Sequence, residues 1–279
     1  ESLVSQRAIV HSYGACGVQS ICFMGHNPIA LVPNPRDLND TVKTFTKVRP
    51  TIFCGVPTLY NALLTHPDVK NGKADFGSLR VCVSAAAPLM AETKKRFEAA
   101  TGATIVEAYA LTETLLAATI NPIRGVRKLG SVGMPVTDVD IMLVDADDPM
   151  KILPAGQVGE ICVCGPQIMR GYWNHPAETA LMLRTGPDGR QWIYSADLGY
   201  MDEDGYVFIV DRKKDLIKPG GMQVWPREIE EVIQAHPAVA EVGVRGFPDA
   251  YKGEIAVAFV VLRQGASATA EELREHCKK

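Results

Sequence analysis

Residues 104–113 read TIVEAYALTE, so an apolar run ends directly before Thr112 and Glu113. The apolar part predicts a strand over residues 104–107, and open α/β sheets bind ligands beyond the C-terminal ends of their strands. A hydroxyl beside a carboxylate suits a phosphate and its Mg²⁺, because the hydroxyl donates to a phosphate oxygen and the carboxylate is a hard ligand. Locally, the same residues also fit a helix N-cap at Thr112 with Glu113 on the helix dipole.

The residues upstream of this stretch alternate between short apolar runs and helical periodicity. Residues 51–54 and 81–84 predict strands, and a helix is expected between Pro88 and Gly102, where glycine marks the helix end. On that helix one face carries Leu89, Phe97 and Ala100, and the residues predicted off it are Lys94, Lys95 and Arg96. This rhythm is typical of a parallel sheet covered by helices.

The downstream sequence changes to short alternating runs separated by turn signals, which indicates a β-rich barrel-like unit. A charged break at residues 211–215 and a Pro219-Gly220-Gly221 turn follow. We then expect a small α+β unit. It would contain a helix from Pro226 with Ile229, Val232 and Ile233 on its face, strands over 239–244 and 255–262, and a helix from about Thr269. The predicted fold is therefore α/β, with an α/β unit over 1–123, a β-rich unit over 124–211 and a C-terminal α+β unit over 212–279.

The composition limits the class of protein and of ligand. The 279 residues are 47% hydrophobic and 22% charged with a formal net charge of -3, which excludes disorder, collagen and coiled coil. Without a basic cluster we expect no nucleic-acid partner, and without 18 consecutive apolar residues no transmembrane segment. The seven cysteines lack the spacing of metal-binding or redox motifs, which favours a cytoplasmic location. A small molecule is the expected ligand.

Two further segments carry candidate binding residues. Small residues from Ser84 to Pro88 would let a flat group lie against the backbone, although taken alone they are better explained by tight packing of a helix on the sheet. Asp197 is predicted at the end of a short strand, where its two oxygens could accept both hydroxyls of a ribose. An exposed turn aspartate is the alternative interpretation.

The order and spacing of these motifs resemble the adenylate-forming superfamily, which includes acyl-CoA synthetases, aryl-CoA ligases and luciferases. Long-chain fatty acid CoA ligases look most similar. The resemblance extends over the whole chain through His11, Asn34-Pro35-Arg36-Asp37, Gly55-Val56-Pro57-Thr58-Leu59-Tyr60, Gly130-Ser131-Val132-Gly133-Met134-Pro135, Gly159-Glu160-Ile161 and Gly165-Pro166-Gln167-Ile168-Met169-Arg170-Gly171-Tyr172-Trp173.

The resemblance implies a role for each matching residue. For the nucleotide, it implies an adenine slot lined by Ala86, Ala87 and Pro88, base stacking by Tyr109, ribose contacts from Asp197 and Arg212, and a border at Ile209. It further implies an α-phosphate contact by Thr112, Mg²⁺ ligation by Glu113, a hinge at Lys214, an acyl carboxylate near His11 and the pantetheine path near Gly220 and Gly221.

The sequence also departs from the family pattern. Alanine replaces the usual glycine at Ala85, Ala86 and Ala110, and Ser195-Ala196-Asp197 stands where Thr-Gly-Asp is usual. The Ser/Thr/Gly-rich phosphate loop is missing, and neither Lys278 nor Lys279 has the context of the adenylation lysine. We expect a middle and hinge portion of an acyl-CoA synthetase that adenylates poorly by itself.

The leading functional hypothesis is a segment of an ATP-dependent fatty acid CoA ligase, which forms acyl-AMP and transfers the acyl group to coenzyme A. Its cofactors would be ATP/AMP, Mg²⁺ and coenzyme A, and its partner a fatty or other apolar acid, since an amino acid would need a buried acidic residue for its ammonium. A homodimer is left open. The alternatives are a non-catalytic AMP or acyl-adenylate binding module and a fatty acyl-AMP ligase serving a carrier protein.

Overall fold

The structure is a computed structural model, and it describes residues 2–5, 11–34, 36–222 and 224–278. Of the motif residues named above, Pro35 and Lys279 lie outside the described residues. The architecture combines a mostly parallel sheet with helices, an antiparallel sheet and a C-terminal hairpin with two helices. This arrangement confirms the predicted α/β fold class. The unit boundaries near residues 123 and 211 stay predictions.

The first sheet contains seven strands in the order β2-β1-β3-β4-β5-β6-β7. Their bounds are β1 Leu3–Ser5, β2 Ile29–Leu31, β3 Ile52–Gly55, β4 Val81–Ser84, β5 Thr104–Ala110, β6 Ala117–Ile120 and β7 Met134–Pro135. Strands β1 to β5 run parallel, whereas β6 and β7 are antiparallel additions. The C-terminal ends of β4 and β5 therefore lie side by side at one edge of the sheet.

Helices pack on this sheet around a core of aromatic rings. Their bounds are α1 Ile21–Met24, continuing a π-helix over Tyr13–Ser20, then α2 Leu38–Val48, α3 Pro57–Thr65, α4 Pro67–Lys70 and α5 Ala91–Thr101. Phe53 and Phe97 each meet the ring of Tyr60 edge-on, with centroids 5.6 and 4.9 Å apart. Helix α5 ends at Gly102, which adopts a left-handed φ of 72° as the sequence predicts.

The prediction that Lys94 lies off the packed face of α5 is wrong. Its Nζ lies 3.1 Å from Oε1 of Glu107 on β5, and the two side chains are only 8% and 7% exposed. A buried charge needs a partner of opposite sign, and the sequence of the helix alone does not reveal one on a strand. Ala100, predicted on the apolar face, is exposed instead.

The second sheet is antiparallel and carries a core of its own. Its strands are β8 Asp140–Val144, β9 Gly159–Cys164, β10 Leu183–Thr185, β11 Gln191–Met201 and β12 Val207–Arg212. They run in the order β10-β11-β9-β8, with β12 also paired to β11, and helix α6 spans Pro176–Met182. Alternating side chains such as Ile161 and Val163 fill the core together with Tyr109 from β5, so the first sheet contributes an aromatic ring to the second.

The C-terminal part contains helix α7 Pro226–Gln234, the antiparallel hairpin β13 Val239–Asp249 and β14 Gly253–Leu262, and helix α8 Ala270–His276. Ile233 of α7 is buried, whereas Val232, predicted on the same face, is 41% exposed. Helix α8 begins after Thr269, whose hydroxyl accepts a hydrogen bond from the N–H of Glu272, as expected for a capping residue. None of the helices in the described ranges has the length and apolar character needed to span a bilayer.

We predict that Lys94→Met lowers the free energy of unfolding by about 3–5 kcal/mol, because it leaves the Glu107 carboxylate buried without its partner. Lys95→Met is the matched control, since Lys95 lies on the exposed face of the same helix and should change stability by less than about 0.5 kcal/mol. Urea unfolding of both variants measures the difference. Equal effects of the two substitutions would contradict the importance of the buried pair.

Candidate functional site

The C-terminal ends of β4 and β5 open into a cavity of about 310 Å³. Its lining comes from both larger sheets and from the C-terminal part: Ser84, Ala86, Ala87, Pro88, Glu107, Ala108, Tyr109, Ala110, Leu111, Gly130, Val132, Asp197, Ile209, Val210, Asp211, Arg212, Asp215, Pro226, Arg227, Glu230 and Val244. At this end β4 is followed by Ala85, Ala86 and Ala87, and β5 is followed by Leu111. The cavity therefore lies where an open α/β sheet binds ligands.

Seven residues predicted from the sequence as nucleotide contacts line this one cavity: Ala86, Ala87, Pro88, Tyr109, Asp197, Ile209 and Arg212. They come from four separate stretches of the chain. Their individual roles stay predictions.

A buried carboxylate forms the polar centre of the cavity. Oδ2 of Asp197 accepts a hydrogen bond of 2.7 Å from the hydroxyl of Tyr109, and Oδ1 lies 3.2 Å from Nε of Arg212. Asp197 and Arg212 face each other directly across the β11–β12 ladder. Burial raises the pKa of the Asp197 carboxyl, although the hydrogen bond from Tyr109 and the charge of Arg212 act to lower it. Each carboxylate oxygen keeps a further lone pair for a ligand hydroxyl.

A bulge in β11 presents this carboxylate. Between Tyr194 and Leu198 the pairing with β9 shifts, so that three residues of β11 lie opposite one of β9. Side chains satisfy the displaced backbone: Ser195 Oγ accepts from the N–H of Asp197 at 3.0 Å, and Glu160 Oε1 accepts from the N–H of Ala196 at 3.0 Å. The prediction that Asp197 ends a strand is wrong, because β11 continues through the bulge to Met201.

Two alanines at the cavity carry backbone strain. Ala86 and Ala196 have φ values of 73° and 59°, in the left-handed region that costs a residue with a Cβ about 1–2 kcal/mol. Ala85 and Ala110, which also replace glycine relative to the expected pattern, are not among the residues with positive φ. Only at Ala86 and Ala196 does the missing glycine therefore strain the backbone.

Several lining residues were not predicted from the sequence, above all Glu107 and Arg227. Within the described residues the buried Ser84 hydroxyl oxygen has no hydrogen-bond partner, whereas most buried polar atoms of proteins have one. Burial raises the pKa of the Glu107 carboxyl, and the Lys94 ammonium opposes that rise. A charged residue inside an apolar strand could have signalled Glu107, whereas Arg227 depends on the docking of α7 and has no local signal.

Thr112 and Glu113 lie just beyond the cavity, immediately after its lining residue Leu111. They begin a 3₁₀ turn over Thr112–Thr114, so the interpretation of Thr112 as a helix N-cap is wrong; the Thr114 hydroxyl instead accepts from the N–H of Leu111 at 3.0 Å. The hydroxyl of Tyr172 donates to the Glu113 carboxylate. Burial, together with that carboxylate, raises the pKa of Tyr172 to about 12.

The remaining predicted residues do not line the cavity. Lys214 is exposed in the turn after β12, and His11 is exposed with its Nδ1 accepting from the N–H of Tyr13 at 3.2 Å. Gly220 and Gly221 have φ values of 59° and 83°, so the turn between β12 and α7 needs two successive residues without a Cβ. This turn separates the C-terminal part from the two larger sheets.

Comparison with known proteins agrees with the geometry. Residues 1–173 match the family model for AMP-binding enzymes, and residues 228–279 match that for the AMP-binding enzyme C-terminal domain. The chain belongs to the AMP-binding enzyme family.

Three similar proteins show how far the likeness of this AMP-binding enzyme extends. A long-chain-fatty-acid–CoA ligase of Bacillus subtilis (strain 168) is 41% identical over 263 residues, which are 94% of this chain and 45% of that protein. ATP-bound MatB from Rhodopseudomonas palustris has a TM-score of 0.90 and 34% identity, with 100% of this chain and 53% of MatB covered. The anthranilate CoA ligase AuaEII in complex with anthranoyl-AMP has a TM-score of 0.88 and 28% identity, with the same coverage. The chain thus spans about half the length of these relatives.

We predict that Ala196→Gly raises the free energy of unfolding by about 0.5–1 kcal/mol, because relief of the left-handed strain exceeds the added flexibility of the unfolded chain. Ala110→Gly is the control. Since Ala110 is not among the residues with positive φ, its replacement should lower stability by about 0.5–1 kcal/mol. Thermal or urea unfolding separates the two, and the same sign of change at both positions would refute the assignment of strain.

The raised pKa of Asp197 predicts a pH effect on stability. The folded protein binds this proton more tightly than the unfolded chain, so the stabilisation from protonation is complete below the ordinary aspartate pKa and is lost as pH rises through the folded-state value. The unfolding free energy of the wild type minus that of Asp197→Asn should therefore fall with increasing pH in this window. Urea unfolding at a series of pH values measures it, and a rising difference would show that the carboxylate is favoured by folding instead.

Proposed function

We propose that this chain is the nucleotide-binding portion of an ATP-dependent acid–thiol ligase, which activates a fatty acid as acyl-AMP and transfers the acyl group to coenzyme A. The observation that carries the proposal is the Asp197 carboxylate, held between Tyr109 and Arg212 in a cavity at the strand ends. The names of the relatives, a long-chain-fatty-acid–CoA ligase among them, support the choice of acid and thiol.

The cavity fits an adenosine monophosphate in chemistry. Asp197 keeps acceptor capacity for two ribose hydroxyls, with Arg212 beside it to hold the carboxylate in place. Ala86 and Ala87 leave room for a flat base against the backbone, and the unpartnered hydroxyl of Ser84 offers a hydrogen bond in the same cavity. We therefore assign the base to the side of Ala86 and the ribose to the side of Asp197.

The phosphates would extend past Leu111 toward Thr112 and Glu113. The exposed hydroxyl of Thr112 can donate to a phosphate oxygen. The Glu113 carboxylate is a hard oxygen ligand, and it would hold Mg²⁺ together with phosphate oxygens and water. When bound, Mg²⁺ would neutralise phosphate charge as pyrophosphate leaves. Tyr172 would keep the Glu113 carboxylate oriented.

An apolar acid is supported by the surroundings of this turn. Leu115 and Leu116, which follow Thr114, are 46% and 38% exposed. Apolar side chains in this position suit a hydrocarbon chain better than a charged substrate. The proposal also includes roles for His11 near the acyl carboxylate, for Gly220 and Gly221 near the pantetheine, and for Lys214 as the hinge pivot. A homodimer and a cytoplasmic location are further parts of the proposal.

We expect Asp197→Asn to weaken AMP binding by at least about tenfold, because an amide cannot accept at both positions. Isothermal titration calorimetry of the chain with AMP measures the dissociation constant. Asp204→Asn is the matched control, since Asp204 is an exposed carboxylate whose salt bridge with Lys128 lies outside the cavity. Absence of AMP binding by the wild type, or equal affinity of both variants, would refute the nucleotide site.

The activity itself requires a second experiment. We expect exchange of labelled pyrophosphate into ATP to depend on a long-chain fatty acid in the protein at its natural length, and the acyl group to pass to free coenzyme A. Transfer only to a phosphopantetheinylated carrier protein would replace the CoA ligase with an acyl-AMP ligase. AMP binding without any exchange would favour a non-catalytic binding module.

A further inference from the structure

Arg227 makes an unusual set of contacts across the junction between the C-terminal part and the larger sheets. Its Nη1 donates to the carbonyl of Ile209 on β12 at 2.6 Å, and its backbone N–H lies 3.3 Å from Oδ2 of Asp211. Its Nε holds Glu231 one helical turn further along α7 at 3.0 Å. The side chain is only 14% exposed. The guanidinium is therefore fixed on both sides of the junction.

Other hydrogen bonds do not duplicate this connection. Within the described ranges 2–5, 11–34, 36–222 and 224–278, the hydrogen bonds between residues 224–278 and residues before Lys213 all start from Arg227. In the intervening turn, the N–H of Gly220 donates to the Lys252 carbonyl at 2.8 Å, which joins the turn to the C-terminal hairpin and not to β12. A rotation of the C-terminal part about this turn would therefore have to break the Arg227 contacts first.

Arg227 also faces the cavity. It lines the wall next to Glu107, whose carboxylate is buried and paired with Lys94 on the other side. Burial raises the pKa of Glu107, and the positive charge of Arg227 opposes this rise together with that of Lys94. The cavity thus receives part of its wall, and part of its electrostatic balance, from a residue that belongs to the C-terminal part.

We propose that Arg227 is a positioning residue that locks the C-terminal part in the orientation in which it walls the nucleotide cavity, so that nucleotide affinity and this orientation are coupled. The proposal rests on the proposed function, since it takes the ligand to be AMP or acyl-AMP. Arginine suits this role because its planar group donates in several fixed directions at once, here to Ile209 and Glu231 together.

The test compares Arg227→Met with the matched control Arg263→Met. Arg263 is exposed, and its Nε donates to the carbonyl of Pro237 at 3.0 Å, so both ends of that contact lie within the C-terminal part. Calorimetry measures AMP affinity, and limited trypsin digestion followed by mass spectrometry measures cleavage after Lys214, which lies between β12 and α7. A thermal melt of each variant confirms that it is folded.

We expect Arg227→Met to weaken AMP binding about tenfold and to lose the protection from cleavage that AMP gives the wild type, whereas Arg263→Met behaves as the wild type. If Arg227→Met does not fold, Arg227→Lys replaces it and should show the same changes to a smaller degree, because an ammonium cannot hold both partners in the same geometry.

Other outcomes overturn the proposal. Wild-type AMP affinity in the Arg227 variant refutes the coupling, and weaker binding with unchanged cleavage refutes the lock. In either case AMP binding by the wild type leaves the proposed function intact. Failure of the wild type to bind AMP would remove the proposed function, and the inference with it.

Discussion

The hydrogen bond from the Tyr109 hydroxyl to the Asp197 carboxylate joins the two larger sheets at the cavity. Tyr109 belongs to a strand of the first sheet but packs into the core of the second, and Asp197 reaches it only because β11 bulges there. In a regular strand, the alternation of side chains between the two faces would set the direction of the Asp197 side chain. In the bulge, the local turn at Ala196 sets that direction instead. The orientation of Arg212, opposite Asp197, depends on the same irregularity.

Charge burial gives the site its electrostatic character. Asp197 and Glu107 are buried carboxylates whose pKa values are raised by desolvation, and each has a cation beside it, Arg212 and Lys94 respectively. Buried ion pairs of this kind add little net free energy to the folded state, because the cost of removing the charges from water offsets their mutual attraction. Their placement around one cavity is therefore better explained by ligand binding than by stability.

The structural features that were predicted correctly are those that depend on local sequence patterns. Apolar runs predicted β4 and the first part of β5, and glycine predicted the end of α5. The resemblance to the family named seven residues as nucleotide contacts, and in the structure these residues line one cavity. Interactions between distant segments were not predictable. Three features depend on how a strand or helix packs against a distant segment: the partner of Lys94, the bulge at Ala196 and the contacts of Arg227. Hydrophobic periodicity along the sequence carries no information about such packing. For that reason the errors concern buried charge and strand irregularity.

The shared lining of the cavity affects how the molecule responds to a ligand. A ligand that binds only the folded form stabilises it by mass action, and this stabilisation extends to whatever must stay folded to form the site. Because Tyr109, Asp197 and Arg227 come from the first sheet, the second sheet and α7, a nucleotide would slow the opening of all three parts together. Amide hydrogen exchange would then report binding far from the cavity, and the ligand would make separate layers unfold as one cooperative unit.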